Sequence, residues 1–201
     1  MDRSVEVCMI TTPDGAIDVN GRSRPLGGPA DQARLVALRA RASVVLVGAG
    51  TARLEGYGPP SQQGLRIGVV TRSCEMDYST PLFTSGAGFV VTTTSAPEVP
   101  VDCIRAGTSS INFAEVIQQL PAGIIHVEGG PQLNAALLDA DLVDAINLTF
   151  SAKLVGARGP SVSHAPHEMK RFVLVTSEVR DNFVFARYEK TTTASAKQVR
   201  D

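Results

Sequence analysis

The sequence predicts a mixed α/β domain: a mostly parallel sheet flanked by helices, closed by an antiparallel hairpin at the C-terminal end. Three observations carry that prediction. Short continuous apolar runs alternate with segments of helical period, the order that builds a parallel sheet covered on both faces. Two of these runs end in glycine-rich turns, Gly48-Ala49-Gly50-Thr51 and Gly129-Gly130-Pro131. From residue 145 onward the pattern holds strands only, the last two joined by a connection short enough for a hairpin.

Each element has its own warrant. Residues 5–11 (V-E-V-C-M-I-T) read as a strand that stops at the turn Pro13-Asp14-Gly15. Residues 15–28 are rich in Gly, Ser and Pro and read as a loop. Pro29 suits a first helical position, where an N–H would be unpaired anyway. Leu35, Leu38 and Ala42 follow at i, i+3 and i+7, an amphipathic helix of about three turns. Residues 43–47 form a buried strand running into the first glycine turn, and residues 56–64 (G-Y-G-P-P-S-Q-Q-G) form an ordered loop or flap. Strands follow at 67–70, ending at Thr71-Arg72-Ser73, and at 89–93. Asn112 is an N-cap with Glu115 three positions on, and Phe113, Val116, Ile117 and Leu120 give a helix that Pro121 and Gly123 terminate. Residues 124–128 are a strand meeting the second glycine turn, and a short helix carries Leu133, Leu137 and Leu138 on one side. Strands at 145–150, 172–178 and 182–188 complete a single domain over 1–189. Residues 190–201 are a polar, aperiodic tail.

Composition narrows the function. With 19 Lys+Arg against 20 Asp+Glu the net charge is −1, which argues against a partner that is a nucleic acid, since such binders need excess cations. No apolar run approaches the ~18–20 residues of a membrane span, and the first residues lack the basic and apolar regions of a signal peptide. Cys8, Cys74 and Cys103 lie far apart, so neither a disulfide framework nor a CxxC pair is available. A cytoplasmic setting follows. His126, His164 and His167 lack zinc-ligand spacing, so no metal is expected.

The chemistry concentrates at the carboxyl ends of the strands, where ligands of parallel α/β sheets bind. A glycine there lets backbone N–H groups approach a phosphate, and the following helix offers its positive end. Two such turns suggest a dinucleotide pyrophosphate held between them; alternatively both are tight turns required only by geometry. The first is an incomplete Rossmann fingerprint, with Gly48 and Gly50 in place but Arg53 at the third glycine. Downstream, Thr71-Arg72-Ser73 offers a cation and two hydroxyls where a carboxylate would bind a free ribose. Arg72 either meets a 2′-phosphate, which favours NADPH over NADH, or is an ordinary solvated arginine. Asp14 and Glu128 are the catalytic candidates. Asp14 could equally close an Asx turn, and Glu128 could orient a substrate hydroxyl or amine or accept N–H bonds from its own turn.

These residues resemble the reductase domain of bacterial riboflavin biosynthesis, whose fold is that of dihydrofolate reductase. The carriers are Pro13-Asp14-Gly15, Leu38-Arg39-Ala40, Val45-Leu46-Val47-Gly48-Ala49-Gly50-Thr51, Val127-Glu128-Gly129-Gly130-Pro131-Gln132-Leu133, Leu142-Val143-Asp144 and Ala152-Lys153-Leu154-Val155-Gly156. The resemblance implies an NADPH-dependent reduction of a ribosylaminopyrimidine phosphate to its ribitylamino form, with hydride delivered to the first sugar carbon. It implies no metal, no covalent intermediate and a homodimer. Carried over by position, Thr51, Glu55 and Ser73 touch the cofactor, and residues 130–136 cradle its phosphates. Ser23, Arg39 and Glu128 face the substrate, and Asp14 borders the cleft.

Departures from the family pattern concern the substrate side. Thr12-Pro13-Asp14-Gly15 replaces Ser-Leu-Asp-Gly, Pro25 an aromatic residue, Glu55 an Asp, Gly56-Tyr57-Gly58-Pro59-Pro60 the Asp-Pro-x-Leu stretch, and Gln62 a basic residue. The zinc signature of the deaminase domain that accompanies many relatives does not occur in these residues. A reductase of another heterocycle and a non-catalytic nucleotide-binding paralogue are the alternatives.

Overall fold

The computed structural model describes residues 2–156, 159–164 and 168–191. Its elements, in chain order, are β1 (Arg3–Thr11), α1 (Pro29–Arg39), β2 (Ala42–Gly48), α2 (Ala49–Glu55), β3 (Ile67–Val70), α3 (Pro81–Thr84), β4 (Gly88–Thr92), β5 (Cys103–Arg105), α4 (Phe113–Gln119), β6 (Gly123–Val127), α5 (Pro131–Asp139), β7 (Ala145–Ser151), β8 (Phe172–Arg180) and β9 (Phe183–Lys190). The strands form one sheet in the order β5-β4-β3-β2-β6-β1-β7-β9-β8. All pairs are parallel as far as β7, and β9 then pairs antiparallel with both β7 and β8. The mixed sheet and its closing hairpin are therefore as the sequence pattern predicts.

Side-chain alternation along β2 shows how the sheet is covered. Val44 and Leu46 join a core with Val5, Val7, Ile125 and Val127 under α4 and α5. Val45 and Val47 face the other way, into a core with Ile67 and Val69 under α2 and α3. The crossover after β2 thus leaves over one face and the crossover after β6 over the opposite face, although the two strands are neighbours. The chain parts at their carboxyl ends, and a crevice opens there.

Between the second core and a smaller one around Leu26, Phe183 and Phe185 runs a row of buried polar groups. Arg187 on β9 reaches across β7 to Glu6 on β1, its Nη1 donating to Oε2 at 2.8 Å and its Nη2 to Oε1 at 3.0 Å. Asn147 on β7 donates to the same Oε2 at 3.2 Å.

Helix α2 follows the first glycine turn, as a strand-to-helix turn requires. Two short elements escape the sequence reading: α3 is a single turn begun by Pro81, and β5 has three residues, all half-buried. Helix α1 also stops at Arg39 rather than reaching Ala42, because Ala42 is taken into the ladder opposite Ile124. Asn112 caps α4 as expected, accepting from the Glu115 N–H. Lys190, read as the first tail residue, closes β9 and is anchored through Nζ to Asp141 Oδ2 at 2.6 Å; the tail from 192 on and His167 lie outside the described residues. Among the described residues no helix is long and apolar enough to cross a membrane.

Leu46 is 1% exposed at the centre of the larger core. Leu46→Ala is expected to cost about 2–5 kcal/mol, read as a lower urea midpoint at unchanged slope. A loss below about 1 kcal/mol would mean that this face relaxes to fill the space.

Candidate active site

The crevice is a cavity of about 1080 Å³ lined from the carboxyl ends of four strands: Met9 and Ile10 of β1, Gly48 of β2, Val70 of β3 and Glu128 just beyond β6. That volume exceeds what a single small heterocycle needs and suits a dinucleotide with a second ligand beside it.

The two glycine turns form one construction. Gly48 N–H donates to the Gly129 carbonyl at 2.7 Å, joining turns that are 81 residues apart in sequence. Gly129 has φ +74°, a region that a side chain disfavours. At Gly130 the constraint is space: a Cβ there would stand 2.6 Å from the Thr51 hydroxyl oxygen. Gly130 is also the N-cap of α5 and supplies no side-chain acceptor, so the first-turn N–H groups stay open toward the cavity that Gly130, Pro131, Gln132 and Leu133 line.

On the β3 side Thr71, Arg72 and Ser73 line the cavity, together with residues 110–114 at the start of α4. The Thr71 hydroxyl accepts from Cys74 N–H at 3.2 Å and the Ser73 hydroxyl from Glu75 N–H at 3.3 Å. Both hydroxyl protons therefore remain for an incoming acceptor. Arg72 is exposed.

At the other end stands Glu128, buried on the cavity wall. Arg39, from the last turn of α1, grips it with both arms: Nε to Oε1 and Nη2 to Oε2, each 2.6 Å. The Tyr57 hydroxyl donates to Oε2 at 2.5 Å, and the Arg39 guanidinium lies 5.6 Å from the centre of the Tyr57 ring. His126 Nε2 lies 3.3 Å from Oε1, too poorly aligned to hydrogen-bond. Burial pushes the Glu128 carboxyl up, but Arg39, with His126 behind it, outweighs burial and brings it from 4.5 down to about 2. Burial, reinforced by this carboxylate, raises the Tyr57 phenol well above its ordinary range. Glu128 is thus an anion at neutral pH and Tyr57 a neutral donor.

The family model of the RibD C-terminal domain matches residues 3–185. The chain belongs to this family. No curated protein matches it in sequence. Among solved structures it is similar to a pyrimidine reductase-like protein from Corynebacterium diphtheriae, with TM-score 0.80, 23% identity, and 94% of this chain and 92% of that one covered. It is similar also to the riboflavin biosynthesis reductase Rib7 of Saccharomyces cerevisiae (TM-score 0.72, 18% identity, 94% and 90% covered). A dihydrofolate reductase from Enterococcus faecalis, complexed with NADP(H), gives TM-score 0.62 at 14% identity, with 94% and 97% covered. At such identities the likeness establishes a shared fold, that of dihydrofolate reductase.

Most residues singled out from the sequence of this family member converge on the cavity. Gly48, Gly50, Thr51, Glu55, Thr71, Arg72, Ser73, Gly130, Pro131, Gln132, Leu133, Ser23 and Glu128 all line it. Ser23 and Glu55 are also bonded to each other, the Ser23 N–H donating to Glu55 Oε1 at 2.6 Å. Gly129 and Arg39 stand behind the wall and act through Gly48 and Glu128. Asp14 does not line the cavity; it accepts from the Thr12 hydroxyl and, through Oδ2, from the N–H groups of Val155 (3.1 Å) and Gly156 (2.8 Å). Tyr57, His126 and Asp18 were not singled out. Only Tyr57 had a sequence signal, as the aromatic residue in a glycine-proline loop that departs from the family pattern.

Because the Glu128 carboxyl is depressed in the fold, its ionisation stabilises the native state fully above about pH 4.5, and that contribution fades as pH falls toward about 2. The stability gap between the native protein and Glu128→Gln is expected to be flat near neutrality and to shrink across this window. Urea midpoints measured from pH 7 to pH 3 read it, and a constant gap would mean that the carboxyl is not ionised against Arg39.

Proposed function

We propose that the protein is an NADPH-dependent reductase that converts a ribosylaminopyrimidine phosphate to its ribitylamino form. The observation that carries this reading is the bonded pair of glycine turns opening into a large cavity with Arg72 at its far end. A Cβ at Gly130 would fill the space beside Thr51, so the cradle suits the close approach of a pyrophosphate. Thr71, Arg72 and Ser73 would hold a 2′-phosphate through one cation and two hydroxyl protons, the chemistry that separates NADPH from NADH. The dihydrofolate reductase of the same fold carries NADP(H).

When bound, the dinucleotide supplies a hydride to the first sugar carbon, and a proton completes the adjoining heteroatom. The chain supplies position. Met9, Ile10 and Ile17 make an apolar wall that excludes water from the reacting carbon. Glu128, fixed by Arg39 and Tyr57, anchors the heterocycle as an acceptor. It is not the proton donor, since it is already ionised. The Asp14 carboxyl is likewise held below its ordinary value, by the Thr12 hydroxyl and the Gly156 N–H, and its role is to pin the loop at 155–156 beside the site. Ser23 lines the lip between Arg22 and Arg24, whose exposed cations suit a sugar phosphate leaving the cavity there.

We place this single domain, 1–189, in the cytoplasm as a homodimer. Support for the dimer comes from the edge strand β8, where Leu174, Val175 and Val179 are 51%, 49% and 78% exposed. Light scattering is expected to give twice the chain mass, and Val179→Lys the monomer mass; a monomeric native protein would remove this part of the reading.

Fluorescence titration tests the cofactor assignment. Arg72→Ala is expected to weaken NADPH by about tenfold, roughly 1.4 kcal/mol, with NADH unchanged. No NADPH binding at millimolar concentration would sink the reductase reading, and binding without oxidation in the presence of substrate would favour a non-catalytic paralogue.

A further inference from the structure

We propose that Asp14 and Lys153 are two positioning residues of one clamp, joined through the segment 151–156, and that the clamp sets the lip of the cavity on its substrate side. The inference rests on the reductase reading above and gives a part in it to two residues outside the cavity lining.

Neither Asp14 nor Lys153 lines the cavity. The Lys153 ammonium donates to three successive carbonyls of the lip: Pro25 at 2.6 Å, Leu26 at 3.2 Å and Gly27 at 3.3 Å. Its three N–H donors are then all committed, and none is left for a ligand anion. The Ser151 hydroxyl joins it, donating to the Leu26 carbonyl at 2.7 Å. A little further on, the same segment is fastened the other way. The N–H groups of Val155 and Gly156 donate to Asp14 Oδ2 at 3.1 and 2.8 Å, and the Thr12 hydroxyl donates to Oδ1. The Val155 side chain packs against the cluster of Leu26 and Phe183, which keeps the segment close to the lip.

One short segment thus ties the turn after β1 to the lip. From residues 25–27 the constraint passes to the cavity through one hydrogen bond, since the Leu26 N–H donates to the Ser23 carbonyl at 2.8 Å. Ser23 lines the cavity, and its own N–H is held by Glu55. Both ends of the clamp use an ionised group, an ammonium on carbonyls and a carboxylate on backbone N–H groups, so both are of the stronger kind. Among the described residues no hydrogen bond joins the clamp to the glycine turns or to Thr71, Arg72 and Ser73. Its effect falls on the substrate half of the cavity alone. Because the two ends act in series, freeing either one releases the lip, and freeing the second adds little.

A double-mutant cycle on the full chain tests this, with Asp14→Ala, Lys153→Met and their combination assayed with NADPH and the ribosylaminopyrimidine phosphate. Each single variant is expected to raise KM about tenfold, the loss that one charge-assisted hydrogen bond carries. In each, kcat stays within about threefold of native and the NADPH Kd is unchanged. The double variant is expected to match the single ones rather than reach about a hundredfold. Additive losses, an unchanged KM in either single variant, or a fall in kcat confined to Asp14→Ala would overturn the inference, the last because it would make Asp14 an acid or base. Should Asp14→Ala fail to fold, Asp14→Asn, which keeps the shape without the charge, takes its place in the cycle. If the native protein does not oxidise NADPH, the reductase reading fails, and amide hydrogen exchange decides the clamp. Equal loss of protection at the Leu26 N–H in all three variants supports it, and unchanged protection in either single variant refutes it.

Discussion

A carboxylate buried at the end of β6 must be neutralised, and much of the site follows from how this is done. Glu128 follows the last residue of β6 directly, at the edge of the cavity, where water cannot solvate it fully. Its partner comes from the far end of α1 and a third group from the loop after α2. One ion pair with one phenol therefore ties together three segments that the chain order keeps apart. Such a pair is poor evidence of net stability, because desolvating both charges offsets most of their attraction. Its consequence is geometric. Removing Arg39 would strand a buried charge at a cost of about 3–5 kcal/mol, so α1 is held in one position relative to the cavity wall.

The same economy of position governs the sheet. Strands buried on both faces carry apolar residues at nearly every position, so hydrophobic pattern alone defines their register weakly. The polar row supplies what the pattern lacks. Arg187, Asn147 and Glu6 meet across β9, β7 and β1 in a single alignment. Sliding β9 by one residue would turn Arg187 to the other face. Sliding it by two would restore the face but leave Glu6 buried without its guanidinium. The closing hairpin is thereby aligned to the parallel part of the sheet, and Glu128 to its neighbours.

What could be read from the sequence divides along the range of the interactions. Strand ends, glycine turns and the Asn112 cap are local, and the residues they nominate line the cavity nearly without exception. Arg39 by contrast reads from spacing alone as one of several arginines on a helix surface, and only the resemblance turned it toward the site. Tyr57 and Glu128 are 71 residues apart, and nothing near either announces the other. His126 sits in an apolar run and is 1% exposed, indistinguishable beforehand from a packed core side chain. Asp14 is the opposite case: its position at a strand end fits a catalytic carboxylate, while its Oδ2 accepts from a neighbouring loop and its Oδ1 from the Thr12 hydroxyl. Helix α2 was legible only from the turn that precedes it, since Ala-Gly-Thr-Ala-Arg-Leu-Glu carries no apolar stripe to set its length.

A net charge of −1 leaves no long-range field to draw in a polyanion, so recognition of one must be built locally. The cavity does this by separating its charges. Arg72 and the open amides of α5 stand on one side of the glycine turns, while Asp18, Glu55 and Glu128 stand on the other. An anionic group inside the cavity is attracted to the first end and repelled from the second, so a polyanionic ligand lying across the turns is sorted by charge. The glycine turns mark the boundary between the ends, and the 2.7 Å bond between Gly48 and Gly129 keeps that boundary narrow. This sorting thus follows from the same parting of β2 and β6 that opened the crevice.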